Sequence, residues 1–249
     1  MSELAIIGGT GLSKIDKLVV VSKHNIETPF GSTSAEIIEA TLDDQTVLFL
    51  PRHGEKHTIA PHKINYRANL WALHSLGIRK VVAVAAVGGI SANAGPETLV
   101  CPDQIIDYTY GREQSFFSDN FLAEHHIDFT HPYTESLRKQ VLIAARKNDI
   151  SIIDNGVYGA TQGPRLETAA EIKRMAQDGC NLVGMTGMPE AALARELGLD
   201  YACCALVVNW AAGLSEQDSI LSEIEQTIES GMTLVEQLLT TLIKQSGSA

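Results

Sequence analysis

Cysteine is scarce in this 249-residue chain and poorly spaced for chemistry. Only Cys101, Cys180, Cys203 and Cys204 occur, with no Cys-x-x-Cys pair, which excludes the common zinc and dithiol templates. Cys203 and Cys204 are adjacent in an apolar run, and a strand would send them to opposite faces. Buried, reduced thiols of a cytoplasmic protein are expected. Eight histidines are present, yet none has His-Glu-x-x-His or comparable spacing. A metal is therefore not expected. Positive charge is also short: 19 Lys and Arg face 30 Asp and Glu, for a net charge of -11. Such a field repels polyanions and argues against nucleic-acid or anionic-membrane partners, although a local cationic pocket can still take a small anion. Long apolar runs are missing, and residues 81–90 fall far below a membrane span. Residues 1–8 lack a basic region followed by a long apolar core, so they predict a first strand rather than a signal peptide.

The length suits one α/β domain over residues 1–249, with residues 245–249 a frayed tail. Strands are predicted at 4–8, 17–22, 35–42, 45–50, 79–87, 99–108, 151–158, 181–185 and 201–209, with a hairpin across Asp43-Asp44. Helical spacing covers 65–76, 134–148, 168–177, 189–197 and 217–244, the last with a possible break at Gly231. Early strands come in succession and later ones alternate with helices. The pattern predicts a mixed, twisted sheet flanked by helices.

Polar residues gather at predicted strand ends. Gly8-Gly9-Thr10-Gly11 follows the first strand, where glycines let backbone N–H groups converge on an anion and Thr10 adds a hydroxyl. It is not a dinucleotide fingerprint, because the third glycine is missing. Arg52 and His53 close another strand, and a guanidinium fork with a further imidazole donor can clamp phosphate. Ala85 and Ala86 are small enough to let backbone N–H groups approach a ligand. Thr186 offers a hydroxyl, and Met185 could lie against a sugar face. Each motif alone is explained as well by a turn, a core strand or a surface loop. Glu190 lies in the first turn of a helix, and capping accounts for it. His57 and His126 sit in polar loops, where most histidines are solvated.

As a set these motifs are more specific. Gly8-Gly9-Thr10-Gly11-Leu12, Thr28-Pro29-Phe30-Gly31, Arg52-His53-Gly54, His57-Thr58-Ile59, Asn65-Tyr66-Arg67-Ala68-Asn69, Gln114-Ser115-Phe116, Gly163-Pro164-Arg165 and Met185-Thr186-x-x-Pro189-Glu190 occur in one order. That order resembles the S-methyl-5'-thioadenosine phosphorylases, within the trimeric purine nucleoside phosphorylases. The likeness runs from about Leu4 to about Asn209, and more loosely beyond. It implies the nucleoside phosphorylase fold, a distorted mixed β-sheet flanked by helices. It also implies a homotrimer, a nucleoside and inorganic phosphate as small-molecule partners, and no metal or organic cofactor. Carried over by position, phosphate would meet Thr10, Arg52, His53, Ala85, Ala86 and Thr186. The sugar would lie near Met185 and the base near Leu166, Glu167 and Asn209. His57 and His126 would stand near the 5' end, His126 from a neighbouring subunit.

The base contacts depart from the adenine-specific members, which carry aspartate where this chain has Asn209 and Ala211 and lack a carboxylate at Glu167. A 6-oxopurine presents an N1–H donor, an O6 acceptor and an N7 that must gain a proton as the base leaves. Glu167 can accept from N1–H, and the Asn209 amide can donate to O6 and accept from protonated N7. The combination resembles the methylthioinosine phosphorylase subfamily. Ile220, Leu221 and Ile224 would supply apolar cover for a methylthio group. A methylthioadenosine phosphorylase and an inosine or guanosine phosphorylase are the alternatives. A non-catalytic nucleoside-binding module would have no need of a phosphate clamp.

Overall fold

The structure is a computed structural model that describes residues 3–9, 18–215 and 220–246. Among these residues, eleven strands join in one mixed sheet and five α-helices cover its faces. The centre is parallel: β1 (Leu4–Gly8) lies between β4 (Gln45–Pro51) and β5 (Lys80–Gly89), and β11 (Asp200–Trp210) runs along the other flank of β5. These strands read as continuous apolar runs because both faces are covered. β2 (Val19–His24) and β3 (Ile37–Leu42) extend the β4 side. The expected hairpin is present, with Leu42 paired to Gln45 and Asp43 at φ +52.

The predicted strand over 99–108 is two strands, β6 (Leu99–Cys101) and β7 (Gln104–Asp107). Pro102 cannot donate to a ladder, and the chain changes partners there: β6 joins β11, and β7 joins β9 (Val157–Ala160). The predicted strand over 151–158 likewise splits into β8 (Ile152–Asp154) and β9, separated by Asn155 at φ +77 and Gly156 at φ +144. β10 (Leu182–Gly184) completes the sheet between β9 and β5.

One face of the sheet carries α1 (Tyr66–Ser75) and α4 (Gly187–Glu196), whose Leu70, Leu73, Ala191 and Leu193 pack on Ile7, Ala83 and Cys203. The other carries α2 (Glu135–Lys147) and α5 (Ile220–Gln245), whose Leu137, Val141, Leu239 and Ile243 pack on Ile6, Val84 and Cys204. Cys203 and Cys204 thus point to opposite faces, and all four thiols are free and buried. Burying each such Leu, Ile or Val side chain contributes about 1.5–3 kcal/mol. Helix α3 (Ala169–Gln177) opens on a capping box between Thr168 and Glu171. Helix α5 runs unbroken through Gly231, contrary to the possible break. A Cβ there would stand 2.7 Å from Leu206 Cδ1, so the glycine lets α5 press against β11. The N-terminal part of the predicted 217–244 helix, residues 217–219, lies outside the described residues.

One irregularity positions the site. β1 pairs with β5 only as far as Ala83, and β10 joins antiparallel at Gly88. β11 occupies the opposite flank throughout, so among the described residues no strand pairs with residues 84–87 on this side. Ala86, in the middle of a central strand, is exposed.

Candidate active site

A cavity of about 430 Å³ opens at this gap in the sheet, a size suited to a small ligand. Gly9, Arg52, His53, Ala85, Ala86 and Thr186 line one part, and Leu166, Glu167, Met185, Asn209 and His57 also face it. Residues far apart in the chain therefore meet where β1, β4, β5 and β11 end. Thr10 lies outside the described residues. His126 is not in the cavity wall of its own chain; its ring lies 4.9 Å from that of Phe121.

Asn209 owes its place to a bulge. The β11–β5 register shifts between Val207 and Asn209, and both Val208 and Asn209 then face the cavity. Asn209 Nδ2 donates to Trp210 O at 2.6 Å. That contact sets the orientation of the amide. The second N–H and Oδ1 have no partner among the described residues. Glu167 follows a loop that passes through Gly163 at φ +63, where a Cβ would stand 2.5 Å from Met185 Sδ. Its Oε1 accepts from Thr161 Oγ1 at 2.6 Å, and no hydrogen bond among the described residues reaches Oε2.

The anion side differs from the sequence expectation in three respects. Arg52 does not hold its fork free: Nε donates to Glu190 Oε2 at 2.6 Å and Nη2 to Glu190 Oε1 at 2.7 Å. Nη2 also reaches Ile7 O at 3.4 Å, and Nη1 reaches Val84 O at 3.0 Å. One Nη1 hydrogen has no partner among the described residues. Burial alone would lower the Arg52 pKa, but the Glu190 charge outweighs it and holds it above its usual value. Second, Glu190 stands in the first turn of α4 as expected, but capping does not account for it. It is fully buried and accepts a third hydrogen bond, 2.8 Å, from Tyr201 Oη. Burial keeps that phenol protonated. Third, His53 is not a donor toward the cavity at neutral pH. Its Nδ1 lies 2.8 Å from Ile59 O, which can only accept, so Nδ1 carries the proton. Burial, opposed by the Ile59 hydrogen bond and aided by the nearby Arg52 and His57 charges, pushes the imidazole down to about 4. Nε2 therefore presents a lone pair. The His57 ring stacks on His53 at 4.5 Å.

Thr186 is the N-cap residue of α4 and is 8% exposed. Met188 is non-helical (φ -121, ψ 140), so the regular helix begins at Pro189, as the proline suggested. Arg112 ties the two halves together. Its guanidinium donates to the carbonyls of Thr161 (3.1 Å), Gln162 (2.7 Å), Met185 (2.9 Å) and Met188 (2.5 Å) and lies over the Tyr66 ring. Nothing in the local sequence marks Arg112 for this role. The far wall is apolar: Ile224, Ile228 and Met232 of α5, with Leu206 and Val208. Ile224 was expected there, whereas the side chains of Ile220 and Leu221 lie outside the described residues. Ile228 and Met232 were missed by sequence, although their i, i+4, i+8 spacing from Ile224 puts them on one helix face. Among the described residues, no three His, Cys, Asp or Glu side chains are grouped to hold a metal, and no helix is long and apolar enough to cross a membrane.

Residues 3–244 match the family model of the phosphorylase superfamily. The chain belongs to the phosphorylase superfamily. Together with the relatives that follow, this makes it a nucleoside phosphorylase, a pentosyltransferase, a family that a small-molecule nucleoside and phosphate fit. It is 48% identical over 242 residues to the probable S-methyl-5'-thioinosine phosphorylase of Xanthomonas campestris pv. campestris, covering 97% of each chain. It is also 48% identical over 246 residues to the enzyme of the same name from Pseudomonas syringae pv. tomato, covering 99% of this chain and 100% of that one. The crystal structure of a methylthioadenosine phosphorylase from an Antarctic soil metagenomic library superposes with a TM-score of 0.93 at 34% identity, covering 99% of this phosphorylase and 87% of that chain. The sheet with its open flank on β5 is thus the nucleoside phosphorylase fold.

Proposed function

We propose that this phosphorylase cleaves S-methyl-5'-thioinosine with inorganic phosphate, releasing hypoxanthine and 5-methylthioribose 1-phosphate. One observation carries the reading: a single cavity joins Glu167 and Asn209 to the apolar α5 wall of Ile224, Ile228 and Met232. Glu167 Oε2 suits N1–H of a 6-oxopurine, while Asn209 keeps one N–H for O6 and Oδ1 for a protonated N7. The α5 wall suits a methylthio group, since a 5'-hydroxyl against it would lose its hydrogen bonds. The names of the relatives in Xanthomonas and Pseudomonas agree with this substrate.

In this mechanism a phosphate oxygen forms a bond to C1' as the C1'–N9 bond breaks, through an oxocarbenium-like sugar. The atoms balance: hydrogen phosphate brings one proton, and hypoxanthine leaves with one. Gly9, Ala85, Ala86, Thr186 and Arg52 line the same cavity, which supports a phosphate position beside them, with Thr10 added by family likeness. The His53 Nε2 lone pair suits the P–OH of hydrogen phosphate. Asn209 stabilises the protonated N7 and the charge gathered toward O6 as the bond breaks, Glu167 holds N1–H, and no side chain becomes covalently attached. This balance calls for neither a metal nor an organic cofactor. We also propose a single domain over residues 1–249, a homotrimer that brings His126 to a neighbour's 5' site, and a cytoplasmic location, which free buried thiols suit.

Phosphorolysis of methylthioinosine, methylthioadenosine and inosine, each with and without phosphate, tests the reading. Fast phosphate-dependent hypoxanthine release from methylthioinosine alone is expected. Equal turnover of methylthioadenosine would overturn the base assignment, and preference for inosine would overturn the 5' assignment. Sedimentation tests the trimer.

A further inference from the structure

Glu190 lies wholly buried behind Arg52 and forms no part of the cavity wall. Four of the five guanidinium N–H groups are taken, two by the Glu190 carboxylate and two by the carbonyls of Ile7 and Val84. Arg52 still lines the cavity, so the strongest cation at the anion site faces it as half of a neutral pair. Phosphate and the sugar 1-phosphate product carry the same charged group. A site that gripped it with an uncompensated guanidinium would hold reactant and product alike, and such uniform binding does not raise turnover. Tyr201, by donating to Glu190 Oε1, draws part of the carboxylate charge away from Arg52.

We propose that Glu190 is a positioning residue that sets phosphate affinity through Arg52, keeping the hold on phosphate weak enough for the sugar 1-phosphate to leave. The inference concerns the phosphate half alone. Any nucleoside that the enzyme turns over reports it, so it stands or falls separately from the methylthioinosine reading.

The test is Glu190→Gln, which keeps the shape and removes the charge. Phosphate KM is expected to fall at least fivefold, kcat to fall with it as release slows, and nucleoside KM to move less than twofold. The melting temperature without phosphate should drop, and the rise on adding inorganic phosphate should exceed that of the unaltered enzyme. A residue that merely held the fold would leave phosphate KM unchanged or raise it, and that result overturns the proposal. Should Glu190→Gln fail to fold, Tyr201→Phe carries the test. It returns carboxylate charge to Arg52, so phosphate KM should rise at least twofold; a constant or lower value overturns the proposal.

Discussion

Thr161 Oγ1 donates a 2.6 Å hydrogen bond to Glu167 Oε1, so one carboxylate oxygen is pinned at the end of β9, while Glu167 lines the cavity and no hydrogen bond among the described residues reaches its other oxygen. Without this bond the carboxylate could rotate away from N1–H of the base. A hydrogen bond to a charged group contributes about 1.5–3 kcal/mol. Thr161→Val should therefore lower kcat/KM for methylthioinosine about tenfold while changing that for methylthioadenosine much less. Side-by-side kinetics check it, and an unchanged ratio of the two would show that Thr161 does not orient Glu167.

Asn209 Nδ2 donates to Trp210 O, and its second N–H and Oδ1 have no partner among the described residues. Loss of a donor aimed at developing charge costs about 2.7–4 kcal/mol. Asn209→Ala should reduce kcat on the order of 10²–10³-fold. Near-normal turnover would remove Asn209 from the chemistry. Asn209→Asp should gain some adenine activity, and none in the purified variant would shift the weight to Glu167 or Ala211.

Ile228 and Met232 face the cavity from α5. Removing apolar fit in such a pocket costs about 1–3 kcal/mol. Met232→Gln should raise the methylthioinosine KM about tenfold and move preference toward inosine. A variant with unchanged preference between the two nucleosides would place the 5' group elsewhere.

The His53 imidazole is pushed down to about 4, against about 6.5 in an unfolded chain. Between these values the unfolded chain takes up a proton that the folded one refuses. The stability tied to His53 is thus fully present above pH 6.5 and lost as pH falls toward 4. Unfolding measured from pH 7.5 to 4.5 should show a shallower loss for His53→Asn than for the unaltered protein. Parallel curves would mean that His53 ionises in the fold as it does in water.

The chain by itself determined the sheet and the neighbourhood of the site. Continuous apolar runs such as Leu4–Gly8 mark buried parallel strands without reference to any partner, and polar residues at their ends mark where a cavity can open. Arg52, His53 and Thr186 stand at such ends, but their roles, and those of Ala86, Glu167 and Asn209, were implied by the family resemblance of the whole motif set; all six share one cavity. Breaks within strands were less legible: Pro102 and the Asn155-Gly156 turn divide ladders whose partners lie far along the chain. What only tertiary structure decided is how each polar group is used. Whether Arg52 turns its fork to solvent or to Glu190 depends on a residue 138 positions away. Whether His53 gives or takes a proton depends on a carbonyl across a loop. Hydrogen bonds and burial set those states, and both are properties of packed neighbours rather than of a local run of sequence.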